Sequence, residues 1–511
     1  MSQRHFRLSV VLLIVAYLAL WGRQSEHMAD DPGLGWHLRT GAFVLKEGSV
    51  PRIDPFLALP RSEAAATSSP RQWVADQWLS DTVLQSLYSW GSWPLVYAVT
   101  IGLFTVAFWG VVLTTAYSAS GSALSSLVAT ALAWKVAQVH LIVRPVLASI
   151  VLFAVIAGRV RRLAVQSPTS KADAIREGLV MCSLFALWAN LHPAFVLGLA
   201  IIALHGAVLL LTRRQLKFAC GSLVVLLVCC ALATLLNPYG WRIFDSFFDL
   251  SASPYLRSIN QEWRPLELLS NEALLLLLVT LVPLALTLSA TPRLIGGRLF
   301  DILSTLVFTY AAFRMVRFVP YAAILGAPLT AIALADLRRV RLPSVCGATR
   351  RFISALEKRL DMPRSPILIA SLIAFIGCTL AMVGILPCSG KPIGPSATLY
   401  PADMFDEIAR DRGEGVILAS PDYGGAVAWR LQPGFRAVLD DRNNVVGEEL
   451  YRRYFRALED RTELEELVRE YGVTHLILSS MSPVVAQLSG EQNWTILYQD
   501  SSRRVYRVPT N

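Results

Sequence analysis

The sequence has little cysteine, little charge and no spacing of ligands that would hold a metal. Seven cysteines are spread over 511 residues; Cys182, Cys220, Cys229, Cys230 and Cys378 lie inside apolar runs, and Cys388 sits beside the C-terminal segment. Such a distribution excludes a disulfide framework. Charged residues make up 16% of the chain, against roughly 25% in soluble globular proteins, too few to coat a soluble surface. A lone Asp-x-Asp motif is absent and the histidines are not spaced as metal ligands, so neither a divalent cation nor another cofactor is invoked. Gly22, Arg23, Gln24 and Ser25 follow the first apolar run without offering a small-x-small cleavage site, and the run reads as an uncleaved span. No repeat or low-complexity stretch stands out beyond Ala64, Ala65 and Ala66.

What fills the chain is apolar sequence. The hydrophobic fraction is 54% and the mean hydropathy +0.48, and the apolar residues come in blocks close to the roughly 20 residues that cross a bilayer as a helix. Runs and breakers predict about eleven spans, near 8–22, 94–117, 122–139, 142–158, 178–191, 194–212, 218–236, 272–290, 300–314, 318–335 and 366–386. The net charge of +10 could suggest a nucleic-acid partner, but the basic residues concentrate in short loops between spans and read as a topological signal. With the N-terminus cytoplasmic, the clusters at Arg159, Arg161 and Arg162, at Arg213 and Arg214, and at Arg338, Arg339 and Arg341 all fall inside. That leaves outside the loop 23–93, the turn near His140, the loop 237–271 and everything after Pro387. The expectation is a multi-pass protein of the cytoplasmic (inner) membrane.

Within the first loop, 73–88 carries Val74, Trp78, Val83 and Leu87 as a helical stripe suited to the membrane interface. After a Pro- and Gly-rich linker from 387, the composition becomes that of a soluble unit. Short apolar strands (415–419, 437–439, 475–479, 494–498 and 504–508) alternate with amphipathic helices (402–412, 448–459 and 463–471). The predicted division is a transmembrane domain over 1–386 and an extracytoplasmic α/β domain over 387–511.

The loop after the first span runs Asp30-Asp31-Pro32-Gly33-Leu34-Gly35-Trp36-His37-Leu38-Arg39-Thr40-Gly41 and continues to Pro51-Arg52-Ile53-Asp54-Pro55-Phe56. Acidic residues just outside span one, followed by a helical patch and span two, resemble the catalytic half of the GT-C glycosyltransferase superfamily. The resemblance implies a sugar donor carried on a polyprenyl phosphate or pyrophosphate, and an Asp of this loop that acts as base or orients the acceptor. Asp31 takes that role, with Asp30 its near competitor. A bacterial subfamily of uncharacterised GT-C-type proteins is closer still. Its pattern is met in the two stretches above, in Trp188-Ala189-Asn190-Leu191-His192, in Asn237-Pro238-Tyr239-Gly240 and in Arg317-Phe318-Val319-Pro320. Such sequences usually carry a further acidic residue where this chain has Gly33. The C-terminal Ser420-Pro421-Asp422-Tyr423-Gly424-Gly425 is similar to the acceptor-reading motif of oligosaccharyltransferase catalytic subunits, with Ser420 and Pro421 in place of two tryptophans. This stretch and Asp440-Asp441-Arg442-Asn443-Asn444 read as strand-end loops able to bind a sugar.

Charges placed where lipid should be give an independent argument. Intramembrane arginine is costly and faces a partner or a watery cavity. Arg144, Arg314 and Arg317 fall at the outer ends of their spans, and His192, Arg242 and Arg264 at a similar depth. A fork of guanidinium donors suits a phosphate diester. The expected assignment is therefore Asp31 and Asp30 as catalytic groups, Arg144, Arg314, Arg317 and His192 around the donor phosphate, and His37, Glu262, Asp422 and Tyr423 around acceptor or sugar. The expected partners are a polyprenyl-phosphate sugar and a glycan, lipid or protein acceptor. The rival readings are a transporter or flippase of lipid-linked glycans and a non-catalytic assembly subunit.

Overall fold

The computed structural model describes residues 27–61, 71–166, 168–212, 216–245, 253–289, 298–339, 393–488 and 494–509. The expected spans at 8–22 and 366–386 and the linker from 387 to 392 lie outside the described residues. Five helices within the described part are long and apolar enough to cross a membrane: Trp78–Ser120, Lys171–Leu191, Phe195–Thr212, Asn271–Leu288 and Val316–Leu337. Among the described residues these five meet that length and hydropathy, and the expected count of about eleven is neither reached nor replaced by them. Apolar helices at Ala123–Ala137, Val146–Val165, Leu216–Ala233 and Leu299–Arg314 complete the bundle. Serine side chains cap four helix starts, with Ser122, Ser170, Ser253 and Ser270 accepting from backbone N–H groups.

Burial separates the bundle into a centre and a rim. The window in Val316–Leu337 is 89% buried and that in Trp78–Ser120 is 67% buried, against 22% for Lys171–Leu191. The first two therefore form the axis against which the others pack. The interfacial stripe expected over 73–88 begins later, because 73–77 is not helical; the helix starts at Trp78 and kinks at Gly91 and Ser92 before continuing into the span. Ser92 has a φ of 52°, a conformation unfavourable for an L-residue. The break lets one helix run first along one direction and then down into the bundle.

Helix α1 (Leu34–Glu47) was not anticipated. Leu34 and Leu38, four residues apart, share its buried face, and Gly48 in the left-handed conformation ends it.

The C-terminal part folds around a five-stranded sheet of order β2-β1-β3-β5-β4. Its strands are β1 (Gly415–Leu418), β2 (Phe435–Ala437), β3 (His475–Ser479), β4 (Thr495–Gln499) and β5 (Arg503–Arg507). β1 pairs in parallel with β2 and β3, while β5 is antiparallel to both β3 and β4. Each strand falls within two residues of its expected position. The stretch after Ser420 is different: it opens helix α2 (Pro421–Arg430) rather than a strand-end loop, with Pro421 at the start of the helix, where a missing N–H is harmless.

The sheet unit docks on the first loop by backbone contact. A Cβ on Gly35 would lie 2.0 Å from the carbonyl oxygen of Gly425, so α1 and α2 cross where neither carries a side chain. The edge strand β2 is extended by the loop: Leu57 bridges Ala437 in parallel, and Ala58 N–H donates to Ala437 O at 2.8 Å.

Candidate functional site

A cavity of about 330 Å³ opens where the bundle meets the first loop and the sheet unit. Arg144 reaches it from the turn after the 3-10 segment Gln138–His140, Glu262 from the short turn Gln261–Trp263, and Arg317 from the turn before the helix Val319–Arg339. His192 follows the helix Lys171–Leu191, and Asp441, Arg442, Asn443 and Asn444 come from the sheet unit.

Asp31 is 3% exposed and is held in place by the backbone. Its Oδ1 accepts from Gly33 N–H at 2.7 Å, and the Tyr400 hydroxyl donates to its carbonyl at 2.9 Å. Its Oδ2 lies 2.5 Å from Arg144 Nε. The same guanidinium binds Glu262 through Nη1, so Arg144 is clamped between two carboxylates from distant parts of the chain. Burial raises the Asp31 pKa and the attraction of Arg144 only partly offsets this, leaving it above the ordinary carboxylate value. Burial also works against ionised Glu262, but Arg144, Arg317 and the neighbouring histidines hold its pKa down to about 2.

A second carboxylate arrives from the sheet unit. Trp36 Nε1–H donates to Asp441 Oδ1 at 2.8 Å. A Cβ on Gly33 would be 3.0 Å from both Asp31 Oδ1 and Asp441 Oδ2, so the two carboxylates face each other across the space a side chain there would fill. Burial, then the charges of Asp440 and Asp31, raise the Asp441 pKa to about 7.

His192 enters as a neutral ring and not as the cation expected. Its Nδ1 accepts from Ala194 N–H at 3.1 Å and lies 2.9 Å from Ser149 Oγ, which in turn accepts from Trp188 Nε1–H at 2.7 Å. Burial and the nearby Arg317 push its pKa down to about 3. With Nδ1 an acceptor, the proton of the neutral ring resides on Nε2.

His37 lies behind the cavity wall, 1% exposed, and its Nδ1 is 2.6 Å from Asp81 Oδ1. Burial and the charges of Arg144 and Arg442 hold it well below the ordinary histidine value. Arg317 lines the cavity and stacks 4.9 Å from the centre of the Trp263 ring; among the described residues it makes no ion pair.

Four expected residues are placed elsewhere. Asp30 accepts from Ser396 N–H at 2.8 Å and from His27, which anchors the segment before the sheet unit. Arg314 ends its helix exposed to solvent. Asp422 is exposed, 3.3 Å from Ser420 Oγ, and Tyr423 lies 5.7 Å from the Arg503 guanidinium. None of the four lines the cavity; Asp31 and His37 do not line it either, Asp31 being joined to it through its ion pair with Arg144, which does. Arg242 pairs with Asp245 at 3.6 Å, and Arg264 is exposed, its carbonyl accepting from Val316.

Sequence reasoning missed Asp76, Asp81, Arg257 and the role of Asp441. The signal for Asp441 is present in the acidic run at 440–441, part of the stretch expected to be a strand-end loop able to bind a sugar. Arg442 is 4% exposed; it pairs with Asp54 at 2.8 Å and Asp440 at 2.7 Å and lies 4.5 Å from the centre of the Trp73 ring. Among the described residues, no group of three or more His, Cys, Asp or Glu side chains is arranged to hold a metal.

Beside the cavity runs an apolar groove of about 280 Å³, lined by residues such as Leu84, Leu87, Leu103, Leu147 and Val151. Arg144 lines both spaces.

Fold and site together describe a helical protein with helices long and apolar enough to cross a membrane, and its fold is of the GT-C type. Among solved structures the chain is similar to the apo oligosaccharyltransferase of Archaeoglobus fulgidus, with a TM-score of 0.59 and 13% identity over 94% of this chain and 70% of that one. It is also similar to ArnT from Cupriavidus metallidurans bound to undecaprenyl phosphate, with a TM-score of 0.53 and 14% identity over 97% of each chain. The arabinofuranosyltransferase AftD from Mycobacteria gives a TM-score of 0.50 and 14% identity over 100% of this chain and 40% of that one. At these identities the likeness is one of fold. No family model matches the sequence, and no curated protein does.

Proposed function

We propose that the chain transfers a glycosyl group from a polyprenyl-phosphate or pyrophosphate donor to a hydroxyl-bearing acceptor at the outer face of the cytoplasmic membrane, with the N-terminus inside and the sheet unit outside. The observation that carries this reading is the position of Arg144, shared by an apolar groove and a polar cavity. A lipid-linked phosphate has the matching form: an isoprenoid chain for the groove, an anion at the junction and a sugar for the cavity. The solved ArnT structure, similar in fold, is bound to undecaprenyl phosphate, which supports a lipid of this kind as the ligand.

In the proposed step the acceptor O–H gives its proton to the Asp31 carboxylate while its oxygen forms a bond to the anomeric carbon. The bond from that carbon to the phosphate oxygen breaks, and its electron pair leaves with the polyprenyl phosphate. Arg144 and Arg317 stabilise the charge that develops there. A raised pKa suits Asp31 for accepting a proton near neutrality. Asp441, once ionised, accepts a hydrogen bond that orients the same acceptor across the Gly33 gap.

The test is binding and turnover by the purified full-length protein in lipid nanodiscs. Undecaprenyl phosphate should bind, and Arg144→Ala and Arg317→Ala should each weaken it about tenfold or more, the scale of a lost charge-assisted hydrogen bond. Unchanged affinity in both variants would overturn the phosphate assignment. Movement of labelled lipid-linked sugar across vesicles without any acceptor would replace the transferase by a transporter.

A further inference from the structure

The cavity is electrically polarised. At one end Glu262 senses the guanidinium groups of Arg144 and Arg317. At the other, Asp81 senses Asp76 and Arg442, and this Arg442 is already tied to Asp54 and Asp440. Asp76 and Asp81 both line the cavity, beside Trp36 and Trp73.

Asp81 is the informative member. It is 1% exposed, and its Oδ1 is held 2.6 Å from His37 Nδ1. An ionised Asp81 can only accept, so in that state His37 donates through Nδ1–H. The other carboxylate oxygen, Oδ2, is buried with no hydrogen-bond partner. A buried acceptor left unsatisfied is destabilising, and its persistence calls for a group that supplies the missing donor. Two neighbouring carboxylates repel a phosphate, and ionised carboxylates only accept hydrogen bonds. The ligand part that fits here is therefore rich in O–H donors and carries no negative charge.

We infer that the Asp76–Asp81 wall is the subsite for the sugar ring of the donor, with Asp81, oriented by His37, accepting a hydrogen bond from a ring hydroxyl and setting which sugar is taken. The inference rests on the proposed lipid-linked donor. With the phosphate at Arg144 and Arg317, the sugar attached to it extends from the cationic end of the cavity toward the carboxylate end. Trp36 and Trp73 give that end apolar surface for the C–H face of a ring. An anionic sugar such as a uronic acid is disfavoured by the same two carboxylates.

The experiment compares affinities of the full-length protein in nanodiscs for bare undecaprenyl phosphate and for undecaprenyl phosphate carrying glucose, mannose, galactose or arabinose. At least one glycosylated lipid should bind about tenfold more tightly than the bare lipid, the scale of a hydrogen bond to a charged group. Asp81→Asn should bring that ratio close to one while leaving affinity for the bare lipid unchanged, and Asp76→Asn should reduce the ratio less. The inference is overturned if no glycosylated lipid binds more tightly than the bare one, if Asp81→Asn keeps the ratio, or if Asp81→Asn weakens both lipids alike, which would mark Asp81 as structural. Those results leave bare-lipid binding by the wild type intact. Failure of the wild type to bind undecaprenyl phosphate at all would instead sink the lipid-donor reading beneath it.

Discussion

Two ion-paired arginines of the bundle invite comparison. Arg161 meets Asp301 through two parallel hydrogen bonds, 2.8 Å from Nε and 3.1 Å from Nη2, and the space beside the pair is only about 10 Å³. Arg144 also faces carboxylates, Asp31 and Glu262, but about 330 Å³ of cavity opens beside it. Both arginines are satisfied, so pairing alone does not separate a structural charge from a working one. The room left next to the pair does. Arg161 locks the helix Val146–Val165 to the helix Leu299–Arg314, whereas Arg144 holds a carboxylate beside a space that substrate can enter.

The comparison breaks most sharply at Asp31. Asp31→Asn should lower turnover by about 10²–10⁴-fold, the usual contribution of a positioned base, with bare undecaprenyl phosphate still bound. Undiminished product formation would remove Asp31 from the chemistry and return Arg144 to the same status as Arg161. At the other pole, Arg161→Ala should leave Asp301 buried without a partner and destabilise the fold by about 3–5 kcal/mol, while the folded fraction keeps its turnover rate. The double replacement Arg161→Met with Asp301→Leu should recover most of that stability, because an apolar pair of similar volume often replaces a buried ion pair without loss. Thermal unfolding of the purified variants, read together with activity per folded molecule, decides both.

Gly33 tests the room itself. Its φ of −77° accepts any L-residue, so Gly33→Ala introduces no backbone strain. The added methyl would crowd Trp36 Nε1 at 2.9 Å and Asp31 Oδ1 and Asp441 Oδ2 at 3.0 Å, so these side chains must give way. Turnover per folded molecule should fall about a hundredfold through misplacement of the acceptor. A variant as active as the wild type would show that the two carboxylates do not share a substrate.

Sequence order made some of this legible. Apolar runs located helices because a bilayer admits little else, and the strands of the sheet unit were found within two residues because each alternates or peaks in apolar content between turn residues. The motif stretches were also informative, but for packing as much as for chemistry. Asp54 pairs with Arg442, Tyr239 donates to Pro51 O at 2.7 Å, and Asn190 accepts from Trp78 Nε1–H at 3.0 Å. These residues brace the first loop around the cavity. Arg144 and Arg317 could be anticipated because each is a charge at the end of an apolar run, and Asp31 because its loop resembles the GT-C superfamily. Asp81 could not, since its setting depends on a contact that no local pattern encodes, His37 being 44 positions away. Asp441 shows in the sequence only as part of an acidic strand-end loop, its partner Trp36 lying 405 positions away. Arg314 illustrates the opposite error, a charge at the right depth on the wrong face of its helix.

The smallest expected effect concerns Asp441 and has a definite sign. Its folded-state pKa of about 7 lies above the ordinary value of an unfolded aspartate, so between about pH 4 and 7 the folded chain binds more protons than the unfolded one. Stability from this group must then fall as pH rises through that window. Asp441→Asn keeps the shape and removes the buried charge. It should raise the unfolding midpoint relative to wild type at pH 8, and the gain should shrink toward zero as pH approaches 4. Turnover should move the other way: wild-type activity should rise as Asp441 ionises near pH 7, and the variant should lose that limb of the profile. A pH profile unchanged in Asp441→Asn would mean that the carboxylate facing Asp31 is as purely structural as the ion pair of Arg161 and Asp301 deeper in the bundle.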